Sequence, residues 1–194
     1  MKGINIAMNK KEETLDIFLK MSNHSIPKWN DLPEIDLYMD QVIALMEKYL
    51  IDNAIQDTKL ITPSMINNYV KLGIMPAPTK KKYSREHLAY LIIICSLKSV
   101  MPIPNIKSMI DKKLEKNTIS ETLDFYSNLY DFTLKQTIHT CEEYLNSNES
   151  NIESLEDTSL FTAIAAANCR NISNKLFYGE SSTAKNKKKK NKEE

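Results

Sequence analysis

Apolar residues recur every three or four positions along most of the chain, and this period belongs to the amphipathic helix rather than the strand. Leu15, Phe18 and Leu19 predict a weak helix over Lys11 to Ser22, followed by a breaker stretch, Asn23 to Pro33, that contains Pro27 and Trp29. Leu37, Val42, Leu45, Met46 and Tyr49 predict a helix from about Pro33 to Leu50, and a polar link follows over Asn53 to Lys59. Thr62-Pro63 is a start signal: the Thr hydroxyl can cap a free backbone N–H, and Pro at the first helical position lacks one. The short helix so opened carries Met65, Ile66, Tyr69 and Val70 and stops at Gly73, a residue suited to the left-handed conformation beyond a helix end.

Ile74 to Pro78 cannot be helical, because each proline lacks a donor and restricts the residue before it. It reads as an extended arm leading into Lys80-Lys81-Lys82-Tyr83, the material of a short β-hairpin. Ser84 caps the next helix, whose Leu88, Leu91, Ile92, Cys95 and Leu97 mark it as the central core helix. Met101-Pro102 ends it, and another helix covers about Ile103 to Leu114. A long amphipathic helix, Ser120 to Asn146, presents Leu123, Tyr126, Tyr130, Leu134, Ile138, Cys141 and Leu145. A last, Ala-rich helix runs over about Thr158 to Phe177. The expected fold class is therefore all-α. The expected segments are an N-terminal arm (1–32), a central domain (33–116), a C-terminal helical region (117–180) and a disordered lysine-rich tail (181–194).

Charge sharpens this division. The formal total of +1 conceals blocks of −4 (Met1 to Asp57), +8 (Thr58 to Lys116), −7 (Asn117 to Glu180) and +4 beyond. A basic block between acidic ones suits either a module that meets a polyanion or a solvated lysine-rich surface. Several chemistries are unsupported. Three glycines, Gly3, Gly73 and Gly179, cannot form a P-loop or a dinucleotide fingerprint. His24, His87 and His139 are scattered, and Cys95, Cys141 and Cys169 are odd in number and widely spaced, so neither a metal site nor a disulfide framework is indicated. No nucleophile context is present, so the chain is not read as an enzyme, and no cofactor is expected. No apolar run is long enough to span a bilayer and no leader pattern opens the chain, so a cytoplasmic protein without a membrane partner is expected.

The informative order lies between Ile61 and Ile110: short helix, Gly, Pro-bounded basic arm, Tyr-Ser, long apolar helix. Tyr69, Gly73-Ile74-Met75-Pro76, Lys80-Lys81-Lys82, Tyr83-Ser84 and Leu88 to Leu97 together resemble the winged helix-turn-helix of MerR-type regulators. Asn67 and Asn68 stand where that pattern usually carries an Arg and a first Tyr, and Asn53 to Ile61 is long for its turn. Over about Leu32 to Phe177 the chain also resembles an uncharacterised bacterial family, the domain of unknown function numbered eighteen thirty-six. That resemblance rests on Leu37 to Val42, Met65 to Lys71, Lys81 to Ser84 and Leu97-Lys98.

The resemblance implies a winged helix-turn-helix with a short basic wing, followed by a two-helix region, and double-stranded DNA as the partner of a transcriptional regulator. With Ile66 and Val70 facing inward, Ser64, Asn67, Asn68 and Lys71 turn towards the opposite or flanking surfaces. Asn amides pair with adenine, while Lys71, Lys80, Lys81 and Lys82 suit phosphates. Thr62 and Arg85 complete the expected contact set, together with Tyr69, which either donates to a phosphate or packs in the core. A helical module acting through a protein partner is the alternative. The stripe on Ser120 to Asn146 suggests a homodimer, or else a helical hairpin that closes on its own core.

Overall fold

Nine of the thirteen residues of helix α4 (Arg85–Leu97) are buried, and the remaining elements of the central unit are arranged around it. A computed structural model describes residues 2–50, 59–146 and 155–190, with side chains over 12–50, 59–146 and 155–179. Among these residues the protein is all-helical, with no strand: α1 (Lys2–Ser22), a 3-10 turn (Trp29–Asp31), α2 (Met39–Tyr49), α3 (Pro63–Lys71), α4, α5 (Ile103–Leu114), α6 (Ile119–Asn146) and α7 (Leu155–Lys190). None of the described helices is long and apolar enough to cross a membrane. Most of the polar link expected at Asn53 to Lys59 and of the Ser/Asn-rich stretch before α7 lies outside the described residues.

The chain divides into two compact units, residues 17–140 and residues 1–16 with 141–194. The central unit is wider on both sides than the 33–116 expected, because flanking segments supply part of its core and its bonding. Ile26 and Leu32 on one side and Leu123 on the other join the buried cluster built on α2, α3, α4 and α5. The breaker stretch is tied to α6 directly: the Ser127 hydroxyl donates to the Pro27 carbonyl at 2.9 Å, and the Trp29 N–H donates to Asp124 Oδ1 at 2.7 Å.

α2 is shorter than its apolar pattern suggests. Leu37 is extended and exchanges two backbone hydrogen bonds with Tyr83, at 2.9 and 2.8 Å, so the helix begins only at Met39. The Gln41 side chain then accepts from the Tyr38 N–H at 2.9 Å, satisfying a donor at the helix start. At α4 Ser84 is the N-cap residue as expected, but its hydroxyl makes no capping bond to backbone and lies 2.8 Å from His87 Nδ1. The Ser84 N–H donates to His87 Nδ1 at 3.0 Å, so a buried imidazole takes the role that Glu or Gln plays in a capping box.

The first half of the α6 stripe, expected to serve either a dimer or closure on the chain's own core, is covered within the chain. Leu123 is buried and Tyr126 and Tyr130 pack against the core of the same chain, so this part of the stripe is already covered. The Tyr126 phenol, pushed up to about 12 chiefly by burial, meets the Ser96 hydroxyl at 2.7 Å. An amphipathic helix turns its apolar face away from water, and the core of the central unit covers it here.

In the other unit, Tyr144 stacks on Phe161 with ring centroids 4.6 Å apart. α7 passes its expected end at Phe177 and continues through Lys190, across the lysine-rich stretch expected to be disordered. After Gly179 that stretch contains no proline, and Ala and Lys are both strong helix formers. Its last four residues lie outside the described set. Leu160, Ile164, Ile172 and Leu176 are exposed along this helix.

Candidate nucleic-acid interface

α3 is nine residues long and is held at both ends. At its start the Thr62 hydroxyl accepts the Met65 N–H at 3.2 Å, the capping bond expected from Thr-Pro. Leu60 and Ile61 are buried just before it, and the Lys98 ammonium from the end of α4 donates to the Leu60 carbonyl. At its end the Ile74 N–H donates to the Tyr69 carbonyl at 3.0 Å and the Gly73 N–H to that of Val70 at 2.9 Å, with Gly73 at φ 63°. This is a Schellman motif, and its usual apolar contact is supplied by the buried pair Tyr69 and Ile74. Lys107 of α5 adds a donor to the Gly73 carbonyl at 2.9 Å while pairing with Asp111 at the same distance.

So fixed, α3 buries Ile66 and Tyr69 and exposes Ser64, Asn67, Asn68 and Lys71. The spacing of the exposed four, i, i+3, i+4 and i+7, places them on one side of the helix. Two amides, a hydroxyl and an ammonium therefore form a continuous polar face with no apolar residue interrupting it. Tyr69 is in the core, where burial pushes its phenol up to about 12. Core packing is thus its structural role.

Beyond Gly73 the Pro76-to-Pro78 arm leads into a two-residue hairpin. Thr79 and Lys82 exchange backbone hydrogen bonds at 3.1 and 2.9 Å across Lys80 and Lys81, which both adopt positive φ, 50° and 63°. Positive φ at both central positions is the mark of a type I′ turn, the form that matches strand twist, and its usual sequence is Asn-Gly. Here two exposed lysines take those positions. Tyr83 anchors the hairpin base by pairing with Leu37, and the buried Tyr83 ring meets His87 edge-on at 5.5 Å.

The basic block is less uniform than its net charge suggests. Lys82 lies 5.2 Å from the centre of the Tyr38 ring, and Lys98 is bound to Leu60. Arg85 pairs with Glu34 at 3.2 Å, donates to the Pro33 carbonyl at 3.4 Å and lies over the Trp29 ring at 5.3 Å. Arg85 thus clamps the breaker stretch to the start of α4, and the Thr62 oxygen is used by its cap. Lys71, Lys80 and Lys81 are exposed cations without an acidic partner among the described residues. The positioning roles of Lys98, Lys107 and His87 are not visible in the sequence. Local spacing carries a trace of two of them, Lys107 with Asp111 at i, i+4 and His87 three residues after Ser84.

These observations define an all-helical unit whose short, doubly anchored helix presents a polar face and is followed closely by a lysine turn. Residues 27–131, more than half of the chain, match the family described as Domain of unknown function (DUF1836), and the chain belongs to that family. No curated protein and no solved structure matches it.

Proposed function

We propose that the protein is a DNA-binding transcriptional regulator with a MerR-like winged helix-turn-helix, α3 entering the major groove and the Lys80-Lys81 turn meeting the adjacent phosphates. The observation that carries this reading is the uninterrupted face of Ser64, Asn67, Asn68 and Lys71 on a helix whose opposite side is buried. Base edges are read by side-chain amides, and Asn pairs bidentately with adenine, whereas lysines contribute affinity through phosphates without reading sequence. The lysine turn supports the same reading. Non-glycine residues held at positive φ concentrate at functional sites, where the surrounding structure maintains the strain.

Selection from a pool of random duplexes with the purified full chain tests the proposal. A recurrent motif is expected, with its preference reduced in Asn67→Ala or Asn68→Ala. Recovery of no motif, with binding that ignores salt, would refute it. The exposed Leu160, Ile164, Ile172 and Leu176 on α7 favour a second reading, a helical module that docks on a protein partner. Association with a protein by a chain that selects no duplex would establish that reading instead.

A further inference from the structure

In the central unit, the end of α4, α5 and the first half of α6 enclose an apolar groove of about 180 Å³, lined by Leu97, Met101, Met109, Ile110, Phe125 and Leu129. An enclosed apolar cavity of about 150 Å³ admits benzene, so this more open groove is of a size to take a ring or a short acyl chain. Phe125 and Leu129 line it and are 51% and 46% exposed.

The lining itself is apolar, and one charged side chain borders it. The Thr122 hydroxyl donates to the Thr118 carbonyl at 2.8 Å and turns its polar group away from a ligand. The Ser96 hydroxyl donates to the Ile92 carbonyl at 2.6 Å, so it accepts the Tyr126 proton and leaves that phenol occupied. Lys113 differs from both. Its ammonium is held 3.8 Å from the centre of the Phe125 ring, at the groove's edge, and has no acidic partner among the described residues. On α6, Glu121 accepts from the Thr118 N–H at 2.8 Å and Asp124 from the Trp29 N–H at 2.7 Å, and neither forms an ion pair with Lys113. A ring beneath the ammonium also limits the directions from which water can solvate it.

We infer that this groove binds a small monoanionic amphiphile, a carboxylate on an apolar body of about six to eight carbon atoms, with the body among the methionines and the carboxylate on Lys113. The inference concerns a site separate from α3 and does not require that the chain bind DNA.

The test uses the full chain labelled with 13C at its methionine methyl groups, titrated with octanoate, octylamine or octanol in the absence of DNA. Octanoate is expected to shift the Met101 and Met109 signals saturably, and octylamine to leave them unmoved. Lys113→Met, which keeps the aliphatic stem, should weaken octanoate about tenfold, as expected when a charge-assisted hydrogen bond is lost, and leave octanol unchanged. Lys113→Arg should restore the preference. Equal binding of octanoate and octylamine would overturn the inference, as would full octanoate affinity in Lys113→Met. Shifts of the same two methyl groups with protein concentration alone would assign the groove to a second copy of the chain and overturn it equally.

Discussion

Replacing Lys80-Lys81 by Asn-Gly separates what the turn does for folding from what it does for binding, because the two consequences have opposite sign. Both lysines occupy positive φ, 50° and 63°, a conformation that costs an ordinary L-residue roughly 1–2 kcal/mol. Lys81→Gly removes that strain but returns about 0.4–1 kcal/mol through the greater freedom of glycine in the unfolded chain. Lys80→Asn adds a smaller gain, since Asn tolerates the left-handed region. The expected net effect is about 1 kcal/mol of stabilisation, or a rise of about 2–4 °C in Tm for a chain of this length, measured by circular dichroism. The same change removes the two most exposed cations of the hairpin. If each contacts one phosphate, the slope of log K against log salt should flatten by about 1.8, read by fluorescence anisotropy on a labelled duplex over a salt series. A more stable protein with poorer, less salt-sensitive binding is the expected pair of results. A destabilised variant would refute the strain argument, and an unchanged slope in a folded variant would remove the turn from the DNA contact.

Three other outcomes follow from the same geometry. Asn67→Ala or Asn68→Ala should cost about 1–3 kcal/mol on a selected duplex and little on random DNA, compared by competition binding; equal losses on both would mean that the pair does not read bases. Arg85→Ala should lower the unfolding midpoint in urea, because it frees Glu34 and uncovers Trp29, while leaving the salt slope of DNA binding unaltered; a flatter slope would return Arg85 to the interface. Iodoacetamide at pH 8 should label the exposed Cys169 quickly and Cys95 only on unfolding, followed by mass spectrometry. Burial pushes the Cys95 thiol up to about 11, outweighing the opposing Lys98, so almost no thiolate is present, and rapid labelling of Cys95 in the folded chain would contradict its burial.

Local chemistry made much of the architecture legible from the chain alone. α5 begins and ends where Pro102 and its apolar period place it, and α3 starts at the Thr62-Pro63 signal and closes at Gly73, because caps and proline act through bonds to backbone only a few residues away. The exposed face of α3 was likewise legible, since Ile66 identifies the buried side and helical geometry assigns the other.

Tertiary contact decided the remainder. A lysine looks the same in sequence whether it points to solvent, lies over Tyr38 as Lys82 does, or reaches a carbonyl 34 residues away as Lys107 does. The +8 block therefore could not reveal which of its cations are occupied. Leu37 follows the helical period of α2 but pairs with Tyr83, a partner far along the chain that no local preference encodes. The α6 stripe carried the same ambiguity: its spacing specifies that one face must be covered, and only the packed core shows that the same chain covers Leu123 and Tyr126. Sequence periodicity determines which side of a helix avoids water, while the identity of its cover depends on long-range contacts.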